Sequence, residues 1–137
     1  MRSKILLVSN ILSTIYTACL LWIFGGAIIA AGGLDYIEYC QQAFGVVFDL
    51  FGFSSASVNA IYAVIILMAI HISAFTIGAI FGWIGYFAKK SGWAKFAATL
   101  YLLGTLSFLL YIFWSLPITI IGFVGGSKQK KLNTSVA

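Results

Sequence analysis

Charge is what this sequence lacks. Only 8% of its 137 residues are Asp, Glu, Lys or Arg, and residues 5–33, 56–88 and 96–127 contain none of them. A soluble domain carries roughly 25% charged residues, so the ordinary water-facing surface is excluded. A hydrocarbon core ~30 Å thick needs about 20 apolar residues at 1.5 Å per residue, and each uncharged run exceeds that. Hydrophobic residues make up 62% of the chain and the mean hydropathy is +1.07. These values define an integral membrane protein, with room for one small helical bundle and no separate soluble domain.

Chemically distinctive residues are scarce as well. There is one proline, one histidine (His71) and two cysteines. Cys19 falls in the first apolar run and Cys40 in the segment after it, with no CxxC and no His or Cys at ligand spacing, so neither a metal nor another cofactor is expected. The chain has no Walker sequence, no HExxH, no GxSxG and no conjunction of nucleophile and base. An enzyme is therefore not expected.

The charges that are present are sorted. Arg2 and Lys4 precede the first run, Lys89, Lys90 and Lys95 share one short stretch, and Lys128, Lys130 and Lys131 follow the last run. All three acidic residues, Asp35, Glu38 and Asp49, lie between the first run and the second. The net charge of +5 could point to nucleic acid, but basic residues at membrane edges are more simply orientation signals and contacts to anionic lipid, so no nucleic-acid partner is expected. The bias of Lys and Arg toward cytoplasmic segments places both termini and the Lys89–Lys95 stretch inside a cell (plasma) membrane, with the acidic segment outside.

This arrangement needs an even number of crossings. A helix over 5–31 and another over 56–88 go out and back, and a basic inner loop, 89–95, leads to residues 96–127. That run is short for two full helices, which need about 40 residues. Trp114-Ser115-Leu116-Pro117 offers a turn, because proline disfavours helix at the residue before it and suits the first turn of a new helix. The expectation is an all-α polytopic bundle of four transmembrane helices, the last two a short hairpin over 96–113 and 117–126, followed by a basic tail over 128–137. The alternative is three crossings, with one long last helix kinked at Pro117. Thr17-Ala18-Cys19 resembles a bacterial lipoprotein cleavage box, but Tyr16 precedes it and Leu20-Leu21-Trp22-Ile23-Phe24 follows, so the first run reads as a retained helix.

Residues 34–53 carry a helical pattern. Asp35, Glu38, Gln42, Gly45, Asp49 and Gly52 recur at intervals of three and four, with Ile37, Phe44, Val47, Phe48 and Phe51 around the rest of the circumference. This describes an amphipathic extracytoplasmic helix with an acidic stripe, either a structural lid or an electronegative mouth.

Within the spans, Ala74, Gly78 and Gly82 form a small-xxx-small ladder, and Gly122 and Gly126 repeat the spacing in the last helix. Such residues let helix backbones approach closely in lipid, so they serve either packing within the chain or docking to a partner. The polar residues that could line a pathway are His71, with Ser73 and Thr76 near it, and the streak Asn10, Ser13, Thr14 and Thr17. The competing reading makes His71 a neutral imidazole bonded to a backbone carbonyl and the hydroxyls helix-packing residues. Tyr36, Tyr39, Trp83, Tyr86, Trp93, Tyr111 and Trp114 stand near boundaries where interfacial aromatic belts belong.

The basic loop followed by a compact apolar hairpin and the glycine-rich, lysine-tailed end Ile120-Ile121-Gly122-Phe123-Val124-Gly125-Gly126-Ser127-Lys128 resembles small uncharacterised four-span membrane proteins of Gram-positive bacteria. The resemblance covers the C-terminal third and implies a cytoplasmic membrane location, with no activity attached. Size and span number are also similar to the small multidrug transporters, but their first helix carries a membrane-embedded glutamate and the first run here has no acidic residue. Two functions are expected from these features. One is a non-catalytic accessory, assembly or immunity-type subunit of a larger membrane complex. The other is a small homo-oligomeric channel or transporter with an acidic outer vestibule.

Overall fold

The structure, a computed structural model, describes residues 2–30 and 58–135 together with Glu38 and Gln42. Among the described residues four α-helices have defined bounds: α1 (Lys4–Ala30), α2 (Val58–Phe87), α3 (Ser91–Ser107) and α4 (Ile112–Thr134). Three stretches, Lys4–Ala27, Tyr62–Phe87 and Leu109–Thr134, are long and apolar enough to cross a membrane. Glu38 and Gln42 are helical and exposed, while Asp35, Asp49 and Cys40 lie outside the described residues.

Each helix packs on two neighbours in the ring α1–α2–α3–α4, and consecutive helices run antiparallel. At one end the Ser3 N–H donates to Gln129 Oε1 at 2.9 Å, Asn133 Nδ2 donates to the Lys89 carbonyl at 2.7 Å, and Arg2 lies over the Tyr86 ring at 5.5 Å. The start of α1, the α2–α3 turn and the end of α4 therefore meet there, and all eight basic residues, each of them exposed, belong to these segments or, for Lys95, to the first turns of α3.

The partition of side chains is inverted relative to a water-soluble bundle. Ser3, Ser9, Asn10, Ser13, His71, Thr105, Ser115, Thr119 and Gln129 are buried, while Trp22 is 84% exposed and Phe113 86%. In water this would strand apolar area in solvent and leave a poor core. In lipid it costs nothing outside and gives the helices hydrogen bonds and close contacts inside.

The turn between α3 and α4 is not where the proline points. Helix α3 ends at Ser107, Phe108 leaves the helical region (φ −138°, ψ 84°), and Leu109–Tyr111 form a 3₁₀ turn before α4. Thr105 and Ser107 turn their hydroxyls back onto the Tyr101 and Leu103 carbonyls, competing with the helix at its end. Pro117 sits in the second turn of α4, where only one backbone bond is lost to it. The helices also run past the apolar runs that announced them. Lys95 is on α3 and Lys128 to Lys131 are in the last turns of α4, so the expected inner loop contracts and the expected tail is helical as far as Thr134.

The α2–α3 turn is tight. Lys89 adopts φ +56° and the Lys90 N–H bonds the Gly85 carbonyl at 3.0 Å, which is a Schellman-type helix end with a non-glycine residue in its left-handed position. Lys89→Gly removes that backbone strain at the expense of a more flexible unfolded chain. A modest stabilisation, up to about 1 kcal/mol, is expected, read as a higher midpoint in thermal unfolding in detergent. A lower midpoint would show that the Lys89 side chain itself holds the turn.

Candidate functional site

The feature that stands out is a polar seam through the middle of an apolar bundle. At its centre, glycines make the room. A Cβ on Gly78 would sit 2.6 Å from Cε1 of Tyr101, and one on Gly82 would sit 2.5 Å from Oδ1 of Asn10 and 3.1 Å from the Tyr101 hydroxyl. Into that space Tyr101 of α3 reaches across to α1, its O–H donating to Ser13 Oγ at 2.9 Å, and Ser13 in turn donates to the Asn10 carbonyl. Asn10 Nδ2 donates to the Gly82 carbonyl at 2.9 Å, which ties α1 to α2. Asn10 Oδ1 has no hydrogen-bond partner among the described residues. It lies on the side of the Gly82 Cα where a side chain would stand. Ser9 Oγ and Thr17 Oγ1 are likewise buried without a partner among the described residues.

Toward the α3–α4 turn, His71 of α2 is held from two sides. Its Nδ1 lies 2.6 Å from the Gly104 carbonyl of α3 and its Nε2 lies 2.8 Å from the Tyr16 hydroxyl of α1. A carbonyl only accepts, so Nδ1 carries the proton and Nε2 receives the Tyr16 O–H. Both ring nitrogens are engaged in this arrangement of the neutral imidazole. Phe75, Phe108 and Tyr111 pack around the ring, with centroids 4.9, 6.0 and 6.1 Å away. Between α3 and α4 the Thr105 and Thr119 hydroxyls meet at 3.1 Å.

The seam closes at the basic end. Gln129 accepts from the Ser3 N–H and donates to Asn133 Oδ1 at 2.8 Å, and Asn133 passes the connection to the α2–α3 turn. Backbones touch here: a Cβ on Gly125 would lie 2.8 Å from the Leu6 Cα, and one on Gly85 would lie 2.7 Å from the Ala94 nitrogen.

Of the residues singled out in the sequence, His71 and Asn10 belong to this seam. Thr14 stands at its edge, donating to the Asn10 carbonyl and accepting from Trp83 Nε1 at 2.9 Å. Ala74, Gly78 and Gly82 face Gly104, Tyr101 and Asn10. Gly122 meets Ser9, Ala98 and Tyr101, and Gly126 meets Lys95 and Ala94. The ladder is thus used in packing within the chain. The sequence pattern does not single out Tyr16, Tyr101, Gln129, Asn133 or Ser3. A tyrosine far from any predicted boundary is the available signal, since a buried phenol needs a partner. Gln129 and Asn133, one turn apart, are hidden by their placement in an expected tail.

Chemically, the seam joins helices. Among the described residues no group of His, Cys, Asp and Glu could hold a metal ion, and Cys19 is exposed on the outer face of α1. An apolar recess on that face is a groove of about 580 Å³ between α1 and α4, with Leu12, Cys19, Ile23, Phe113, Trp114 and Pro117 in its walls. Comparison with known protein families, curated proteins and solved structures finds no match.

Proposed function

We propose that this chain is a non-catalytic multi-pass protein of the plasma membrane that acts as an accessory, assembly or immunity-type subunit of a larger membrane complex. The observation that carries this reading is the use of the interior polar groups. His71, Tyr101, Ser13 and Asn10 Nδ2 are bonded helix to helix, and the outward faces are Ile, Leu, Phe and Trp. A conducting path needs polar groups left facing water or a solute. A subunit that only has to hold a shape in lipid and present an apolar surface does not.

In this reading the bundle crosses the bilayer four times with both termini cytoplasmic. The gathering of Arg2, Lys4, Lys89, Lys90, Lys95, Lys128, Lys130 and Lys131 at one end supports it through the positive-inside bias. With 17 residues, α3 is about 26 Å long, slightly shorter than the hydrocarbon core. Local thinning of the bilayer accommodates the difference, and Trp114 near the turn provides an interfacial anchor.

The test is gentle extraction of the tagged chain from its native membrane, followed by mass spectrometry of the intact complex and its components. A larger membrane protein in fixed stoichiometry is the expected result. A homo-oligomer without another chain would shift the reading to the channel or transporter, and a lone monomer would overturn both.

A further inference from the structure

A second groove, of about 530 Å³, lies between the start of α1 and the end of α4 at the basic end, lined by Ile5, Phe123, Val124, Ser127, Lys128 and Lys131. Its two halves differ in chemistry. Ile5, Phe123 and Val124 form an apolar wall facing the surrounding lipid, and Ser127, Lys128 and Lys131 stand above it in successive turns of α4. Helical spacing puts Val124, Ser127, Lys128 and Lys131 on one face, so both lysines belong to the groove side of α4. Among the described residues no Asp or Glu stands in the groove wall, Glu38 being the one acidic residue described.

We propose that this groove is a binding site for one anionic phospholipid. The phosphate would sit between Lys128 and Lys131 with the Ser127 hydroxyl as a further donor, and an acyl chain would lie along Ile5, Phe123 and Val124. Charge complementarity selects the headgroup, and the apolar wall selects a lipid over a free anion, which would gain only the lysines. The close backbone contact of Gly125 with Leu6 fixes α1 against α4 immediately behind the wall, so the groove is a standing feature of the bundle. Such a site needs a membrane around the chain and is independent of any accessory role.

The experiment is thermal unfolding of the full chain in a neutral detergent, with phosphatidylglycerol, phosphatidylcholine or inorganic phosphate added. Phosphatidylglycerol should raise the midpoint, with phosphatidylcholine and phosphate giving little. The double change Lys128→Gln with Lys131→Gln should lose most of the rise, whereas Lys90→Gln, on the α2–α3 turn, should keep it. Val124→Trp fills the wall while retaining every charge, and it should lose the rise too. An equal response to the two lipids, an equal loss in all three variants, or a full effect from phosphate alone would overturn the proposal. Variants are compared only where their elution in size exclusion matches the parent, and Val124→Trp keeps the test decisive if the lysine pair proves necessary for folding.

Discussion

Gly78→Leu should abolish the folded bundle. The Cβ of any side chain at this position would stand 2.6 Å from Cε1 and 2.9 Å from Cδ1 of Tyr101, with the Ala97 carbonyl at 3.3 Å. The ring has nowhere to go. It stacks on Phe75 at 5.2 Å on one side, and its hydroxyl is fixed to Ser13 of α1. Moving it breaks the α1–α3 bond and opens the core cluster of Phe75, Ala97, Tyr101 and Ile118. Overpacking of this kind costs about 1–3 kcal/mol for a small addition, the size of effect expected for Gly78→Ala, and more for a branched side chain. A small domain is held by about 5–15 kcal/mol in all, so a loss above about 4 kcal/mol removes most of the folded population. The readout is a fluorescent fusion in detergent. The parent should elute as one peak, Gly78→Ala should give that peak with a lowered melting midpoint, and Gly78→Leu should run as aggregate. Gly25→Ala serves as the control, because nothing among the described residues lies within 4 Å of a Cβ there and alanine is the better helix former. A Gly78→Leu protein with the parent's midpoint would mean that α2 and α3 do not pack in this register.

Gly78 also shows which part of this structure can be read from sequence. Spacing by four residues in an uncharged run marks a line of close approach regardless of what approaches it, so the packing role of Ala74, Gly78, Gly82, Gly122 and Gly126 is legible while their partners are not. Helices α1 and α2 are similarly legible, because a chain rarely goes so far without a charge unless it is surrounded by lipid; the expected 5–31 and 56–88 differ little from Lys4–Ala30 and Val58–Phe87. The last third is harder. Pro117 is a strong local signal, yet one lost backbone bond in the second turn of α4 is tolerable, and the break at Phe108 has no proline or glycine to announce it. Lysines mark where the membrane ends and not where a helix ends, since a helix continues into the head-group region if its backbone bonds remain satisfied. The seam is the least legible element. His71 pairs with a tyrosine 55 positions away and a carbonyl 33 positions away, and nothing local in the sequence selects either. A backbone carbonyl as the partner of His71 is one of the two readings the sequence allows; the phenol is beyond its reach.

His71→Ala should lower stability by about 2–4 kcal/mol, the sum of a cavity where the imidazole was and a Tyr16 hydroxyl left without its acceptor. The cavity contribution is large here because the ring is fully buried among Phe75, Phe108 and Tyr111, which are bulky and leave little freedom to collapse inward. The Gly104 carbonyl loses less, since it also accepts the Phe108 N–H at 3.3 Å. Tyr16→Phe isolates the hydrogen bond. It removes the hydroxyl without a cavity, and interhelical bonds in membranes average only about 0.6 kcal/mol, with a maximum near ~1.7, so its effect should be the smaller one. In the double variant the two losses should not add, because Tyr16→Phe in the His71→Ala background removes a hydroxyl that already lacks its partner. Unfolding of the four proteins in one detergent and lipid condition measures that coupling directly. Strict additivity would mean that the Tyr16–His71 contact is not formed in the bilayer, and that the imidazole is available to a solute. In that case the seam would be a pathway, and the channel or transporter reading would gain what the accessory reading lost. A coupling of the expected sign leaves His71 as a clamp between three helices, set near the turn that Phe108 makes, on the same Gly104 carbonyl that accepts the Phe108 N–H at the end of α3.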